Sequence, residues 1–171
     1  MPATVRASIA TGAGPTLATA ETGAKYNRED TLAGTASPIP RPVATGTAFS
    51  YRKTFCLDVT ATSDTTITNR KIHIASTPTT GLAMWYIDLA DTYTQATGNA
   101  DTDAGTNGAT PTGYTSMPTS ATLFDSGSDS AGATGRSGDY VGVALGVSNN
   151  YAGGAGSAIA LPTMTLTYDE S

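Results

Sequence analysis

Alternation of apolar and polar side chains between residues 49 and 89 is the feature that most constrains the fold. In its first part, five large apolar side chains fall on odd-numbered positions: Phe49, Tyr51, Phe55, Leu57 and Val59. This spacing is typical of a β-strand with one buried and one solvent-facing side. Lys53 interrupts the apolar face, and we expect its ammonium group to reach water from the beginning of the strand.

Two further strands are predicted in the same region. Ile72 and Ile74 repeat the alternation, and residues 82–89 are apolar on both faces. A strand that is apolar on both faces is usually central in its sheet or covered on its outer side. Because short polar turns separate the three segments, we expect them to form an antiparallel meander.

The C-terminal third contains two more regular strands. Residues 139–148 alternate in the same way, and the glycines at 142 and 146 on one face leave room for a bulky neighbour, for which Trp85 is the candidate. Residues 157–168 form a last strand, in which Pro162 lacks a backbone donor and so predicts an edge or bulged position. Shorter strands are predicted at 4–9 and 121–125, and a turn region at 125–138.

Composition supports an all-β fold. Only 13% of the residues are charged, glycine occurs 19 times and proline 9 times, and no window shows the apolar period of a helix. Six or seven strands separated by turn signals predict an antiparallel β-sandwich, of immunoglobulin-like or jelly-roll type. Periodicity does not discriminate between these two topologies.

Charge and hydropathy exclude some classes of partner. The formal net charge is −5, and the basic residues form no cluster that could neutralise several phosphates, so we expect no nucleic-acid partner. No segment approaches the roughly 20 apolar residues of a membrane span, so we expect no membrane partner. The first residues lack the apolar run of a secretory leader, which predicts synthesis in a cytoplasm.

Residues 1–48 differ from the sandwich predicted for 49–171, which also contains a long loop at 91–120. Beyond residue 10 this segment carries few large apolar side chains to offset the entropy of ordering it. We therefore expect an extended N-terminal arm that is held by other subunits, either further copies of the chain or a larger assembly. Its candidate partner-binding residues are basic side chains and two apolar anchors: Arg6, Lys25, Arg28, Arg41, Tyr26 and Ile39.

Residues that could support catalysis or metal binding are sparse. Asp101, Asp103 and Asn107 place oxygen ligands at alternate positions, as Ca²⁺ loops do, but the segment lacks the glutamate that closes such a loop. A polar turn is the favoured interpretation. His73 is the single histidine and Cys56 the single cysteine, so we expect neither an enzyme nor a bound cofactor.

Five segments taken together carry a family resemblance: FSYRKTFCLDV, TTITNRKIHIAS, TTGLAMWYIDLADTYTQ, GDYVGVALGVS and LTYDES. In this order they resemble virion structural proteins of tailed bacteriophages, most closely capsid decoration (cement) proteins. The resemblance implies a β-sandwich that docks on the capsid exterior, contacts the major capsid protein and further copies of itself, and stabilises the shell. It brings no catalytic residues.

Two alternatives to a capsid location remain open. The first is a tail or neck structural protein, which could carry the same sandwich. A carbohydrate-binding module is the second alternative, and it would require exposed aromatic side chains in the long loop, for which Tyr93 and Tyr114 are the candidates.

Overall fold

The protein is an all-β sandwich of two antiparallel sheets, as the sequence predicts. The computed structural model describes residues 2–19, 26–28, 30, 39, 42, 46–96, 113–153 and 159–171. Within these ranges there is no helix. The strands are β1 (Thr4–Thr11), β2 (Thr16–Thr19), β3 (Thr47–Phe49), β4 (Lys53–Ala61), β5 (Thr66–Ile74), β6 (Leu82–Asp88), β7 (Thr115–Ser116), β8 (Thr122–Ser130), β9 (Gly135–Ser148) and β10 (Met164–Glu170).

Seven strands form the large sheet and three form the small sheet. The large sheet has the order β2-β1-β4-β9-β6-β7. β3 pairs with the C-terminal end of β9, and β4 pairs with the preceding part of the same strand. The small sheet has the order β10-β5-β8. All of the pairings are antiparallel. β9 is the central strand of the large sheet, and its 14 residues pair with β3, β4 and β6.

The predicted meander of three consecutive strands is wrong. β4 and β6 both pair with β9 in the large sheet, whereas β5 lies in the small sheet. The polar turns after β4 and β5 therefore cross from one sheet to the other. Alternation shows which side of a strand is buried, but it contains no information on whether consecutive strands pair or face each other.

A β-bulge divides the first alternating segment. Phe49 pairs with Gly146 and Lys53 pairs with Val143, so residues 50–52 contain one residue more than the facing part of β9. Because side chains alternate with a period of two, one extra residue moves the preceding side chains to the other face. Phe49 consequently packs with Trp85 on the outer face, while Phe55 packs in the main core.

The main core lies between the two sheets. Strands β1, β4, β6 and β9 of the large sheet and β5 of the small sheet contribute most of its buried side chains. Its buried members are Ile9, Phe55, Ile72, Ile74, Met84, Met117, Val141, Val143 and Leu145. The alternating positions of β5 and β9 thus face each other, as the sequence pattern predicts for a sandwich.

The large sheet is also covered on its outer face. Trp85, Phe49 and Tyr114 form a second cluster there, and the rings of Phe49 and Trp85 lie 5.4 Å apart. A Cβ atom at Gly146 would lie 2.5 Å from Cζ3 of Trp85. Both the covered strand and the glycine that makes room for Trp85 are therefore confirmed. A Cβ at Gly142 would instead approach Arg52 and Ile87.

Strands β1 and β2 belong to the large sheet, which corrects the expectation of an extended arm for residues 4–19. β1 lies between β2 and β4 and pairs with β4 from Thr4 to Ala10. The strand predicted at 4–9 is confirmed. A count of large apolar side chains underestimated the interactions that hold this segment in place. Backbone pairing and small buried side chains such as Ser8 and Ala10 also hold it.

The last part of the chain differs in detail from the prediction. β8 continues to Ser130 and β9 begins at Gly135, so the turn region predicted at 125–138 is mostly strand. Within the described part of the predicted loop at 91–120, Thr115–Ser116 pairs with β6. β10 lies at an edge of the small sheet as described, but it begins at Met164. Pro162 therefore precedes the strand, and the strand predicted at 157–168 begins later than expected.

Candidate functional site

Arg6, the first candidate partner-binding residue, lies on β1 and forms an ion pair within the sandwich. Its Nε and Nη2 atoms are each 2.9 Å from Oδ2 of Asp58 on β4. The hydroxyl of Ser8 donates to the same oxygen at 3.1 Å. The Arg6 side chain remains 37% exposed, against 8% for Asp58. Arg6 therefore supports the β1–β4 pairing and still presents part of its guanidinium group at the surface.

The two apolar anchors predicted for a partner surface lie on the protein's own sandwich. Tyr26 and Ile39 both pack against the main core, and burial raises the pKa of the Tyr26 hydroxyl far above its ordinary value. Arg28 donates from Nε to the carbonyl oxygen of Phe49 at 3.4 Å. The expectation that these residues contact other subunits in place of their own sandwich is therefore corrected.

A buried lysine and a backbone amide hold Asn27 against the large sheet. Lys53 is 1% exposed, and its Nζ donates to Oδ1 of Asn27 at 2.9 Å. The carbonyl oxygen of Asn27 also accepts a bond from the amide of Tyr51 at 2.9 Å. The expectation that Lys53 reaches water is wrong, because a polar segment folded over the sheet supplies an acceptor.

Several other candidates lie outside the described residues. These are Lys25 and Arg41 of the predicted arm, and Asp101, Asp103 and Asn107 of the weak calcium candidate. Among the residues that the structure describes, no group of three or more His, Cys, Asp or Glu side chains could hold a metal ion.

The most concentrated arrangement of charge is centred on Arg70, which the sequence analysis did not single out. Arg70 is 0% exposed and lies on β5. Its Nη1 donates to Oδ2 of Asp125 at 2.8 Å, and its Nη2 donates to Oγ of Ser137 at 2.9 Å. Further acceptors are carboxylate or carbonyl oxygens of Asp129, Gly127 and Ile67. We call Arg70, Asp125, Asp129 and Ser137 the Arg70 cluster.

The Arg70 cluster connects the two sheets. Asp125 lies on β8 of the small sheet and accepts a bond from the backbone amide of Asp139 on β9 at 3.1 Å. Its other oxygen accepts from the amide of Gly127 at 2.6 Å. Burial raises the pKa of the neighbouring Asp139 carboxyl, and the charge of Asp125 raises it further. The buried guanidinium is therefore paired with two carboxylates, of which Asp125 also accepts bonds from backbone amides.

Glycine at position 138 makes the Arg70 cluster sterically possible. Gly138 has a φ of 73°, and a Cβ atom there would lie only 2.1 Å from Nε of Arg70. A sequence signal for the cluster did exist, because Arg70 shares the apolar face of Ile72 and Ile74. Asp125 and Asp129 both form ion pairs with Arg70.

Cys56 is placed as the alternation predicts, on the face opposite Phe55. It packs with Ala10 and Tyr140 and is fully buried. Burial raises the pKa of its thiol to about 12, with a further contribution from the charge of Asp58. Since the thiolate is the reactive form, this environment favours an unreactive thiol.

The aromatic residues considered for sugar binding are largely enclosed. Tyr114 belongs to the outer cluster with Trp85, and each is 8% exposed. Tyr93 donates from its hydroxyl to the carbonyl oxygen of Gly12 at 2.9 Å, and its ring packs against Tyr140. A shallow cleft beside Trp85 has a volume of about 240 Å³ and is lined by neutral residues. These rings offer little exposed surface on which a sugar could stack.

Comparison with known proteins gives no relative. No protein-family model matches the sequence, and neither a curated protein nor a solved structure matches it. Of the described residues, none forms a helix long and apolar enough to cross a membrane.

Proposed function

We propose that the chain is a structural protein of a tailed-phage virion and acts as capsid cement. In this role it binds the outer surface of the major capsid protein lattice and stabilises the shell. One observation supports the proposal: the five segments that bear the resemblance overlap strands β4, β5, β6, β9 and β10, which belong to both sheets. The resemblance therefore covers strands of both sheets.

The internal construction suits a protein that is held by neighbours in a lattice. The Arg70 cluster joins the two sheets, and Asn27 and Lys53 join the N-terminal segment to the large sheet. A body fixed in this way loses little conformational entropy when it docks. Each contact with a capsid subunit can then be weak, because the symmetry of the shell repeats it many times.

Arg6 is a candidate contact residue whose side chain is 37% exposed. Its ion pair with the buried Asp58 orients the guanidinium group at the surface of the large sheet. An acidic patch on a capsid subunit would complement it. Tyr26 and Ile39 are not part of this proposed interface, because both are used in the main core.

The test uses purified particles of the phage that encodes the chain. Quantitative mass spectrometry should find many copies per particle, and immunogold labelling should decorate heads. Particles stripped of the protein should lose shell stability to heating and regain it when purified protein is added back. Labelling confined to the tail or neck would favour that alternative, and absence from particles would overturn the proposal. Binding on a glycan array without particle association would favour the carbohydrate-binding alternative.

Arg6 is tested in the same add-back experiment. Arg6→Gln should weaken rebinding to stripped particles while leaving the fold intact. Lys71→Gln is the matched control, because Lys71 is also a partly exposed cation in an ion pair, on the small sheet. Equal rebinding by both variants would remove Arg6 from the proposed interface.

A further inference from the structure

The two edges of the small sheet differ in how well they could accept another strand. β8 has two register shifts against β5, a glycine at 127 and aspartates at 125 and 129. Bulges and charges of this kind prevent edge-to-edge pairing. β10 is regular from Met164 to Thr167, where its sequence is uncharged. Among the described residues, β5 is the single strand that pairs with β10.

We propose that β10 pairs antiparallel with β10 of a second copy of this chain, about a two-fold axis at Leu166. The two small sheets would then form one continuous sheet of six strands across the dimer. Pairing of this kind uses the backbone donors and acceptors along the outer edge of each β10. It gives an isologous interface that closes as a dimer.

The proposed register matches side chains on both faces of the sheet. With Leu166 opposite its symmetry mate, Met164 faces Tyr168 and Thr165 faces Thr167 of the other copy. Met164 and Leu166 pack against the main core, and Tyr168 packs against a smaller cluster at the same inner side. Apolar contacts would thus continue across the axis on the inner face. The two threonines face outwards, where Thr–Thr pairs are favourable.

Charge selects the antiparallel orientation. Asp169 and Glu170 are the acidic residues of β10, and both lie at its C-terminal end. Parallel pairing in register would place each acid beside its own symmetry mate, which is unfavourable. In the antiparallel register Asp169 faces Thr163 and Glu170 faces Pro162, so that like charges lie at opposite ends of the interface. The self-pairing does not depend on the proposed place in a virion.

The first experiment measures the mass of the full chain by sedimentation velocity over a series of concentrations. The wild type should move towards twice the 17.2 kDa of one chain. Thr165→Lys with Thr167→Lys places like charges opposite each other across the axis, and should weaken dimerisation about tenfold or more. Thr122→Lys with Ser126→Lys places the same charge on the edge strand β8 and should leave the dimer unchanged.

A second experiment does not depend on the lysine variants. Thr165→Cys with Thr167→Cys brings cysteines of the two copies into facing positions, and mild oxidation should give a covalent dimer on a non-reducing gel. The native thiol gives little background, because Cys56 is buried. Thr122→Cys with Ser126→Cys is the control and should stay uncrosslinked.

Three results would overturn the proposal. The first is a wild type that keeps the mass of one chain at all concentrations. The second is a dimer that both lysine variants leave unchanged. The third is equal crosslinking of the β10 and β8 cysteine variants. None of these three results bears on the virion proposal, which is tested separately by association with particles.

Discussion

The two sheets differ in how many of their faces are buried. In the large sheet, eight consecutive residues of β9, from 140 to 147, are buried, whichever side they face. In the small sheet, the side chains of β5 that face inwards are buried and those that face outwards are only partly so. The large sheet is therefore an inner layer of the molecule, although no third sheet is present among the described strands.

Large side chains of the sheet's own strands, joined by Tyr114 from a connecting segment, cover the outer face of the large sheet. Phe49, Trp85 and Tyr114 cover one part of it, and Tyr140 with Cys56 and Ala10 forms a second buried cluster. The outer face of the small sheet carries polar groups instead, among them the ion pair of Lys71 with Asp169. The outer face of the large sheet is thus buried by its own aromatic side chains, without a third sheet among the described strands.

Removing the N-terminal strands should have the largest effect, because it opens the large sheet at β4. Deletion of residues 1–19 removes β1 and β2 and leaves the backbone edge of β4 unpaired. It also removes Ile9 from the main core. We expect loss of the cooperative unfolding transition, measured by circular dichroism during urea denaturation.

The control for this deletion removes only Met1 and Pro2, which precede β1. That variant should unfold like the wild type. A sharp, unchanged transition after deletion of residues 1–19 would show that β1 is dispensable for the large sheet and would restore the interpretation of this segment as an arm.

Shortening the side chain of Arg70, which connects the two sheets, should have the next largest effect on stability. Arg70→Ala leaves the carboxylate of Asp125 buried without its cation, and should lower the free energy of unfolding by about 3–5 kcal/mol. Lys71→Ala removes the neighbouring cation from an exposed ion pair with Asp169, and the free energy of unfolding should change far less. Chemical denaturation measures both.

A double-mutant cycle with Asp125→Asn assigns the effect of Arg70 to the pair. The two substitutions should be strongly non-additive, since either one removes the same buried ion pair. Additive effects would show that Arg70 stabilises the protein through packing alone, and the cluster would then not connect the sheets electrostatically.

Substitutions on the two outer faces should have the smallest effects on stability, and the effect should be larger on the covered face. Gly146→Val drives new atoms into Trp85 on the covered face of the large sheet, and should destabilise the protein by about 1–3 kcal/mol. Leu123→Ala removes a side chain that is 48% exposed on the small sheet, and should change stability by about 0.5 kcal/mol or less. Similar free energies for the two variants would contradict the comparison of the faces.

Alternation predicted each strand separately with fair success. It located β1, β6, β9 and most of β4, the burial of β6 on both faces and the contact of Gly146 with Trp85. It failed where local geometry shifts the period. The bulge at residues 50–52 moves Phe49 to the other face, and no residue type in that stretch marks the position of the bulge.

The candidate residues were less predictable than the strands. Arg70 follows the apolar spacing of β5, but a charged side chain at such a position is stable only if acceptors reach it. Those acceptors come from β8 and β9, 55 and 67 residues along the chain. Tyr26 and Ile39 were recognised as anchors, but sequence did not identify the surface that they contact.

The sequence by itself determined the all-β class, the sandwich and the burial pattern of individual strands, because a period of two is a local property of the backbone. The tertiary structure decided which strands pair, which sheet receives a covered outer face and how the buried cations are compensated. These outcomes depend on contacts between residues far apart in the chain. Such contacts are selected by the free energy of the assembled fold, and no single segment encodes them.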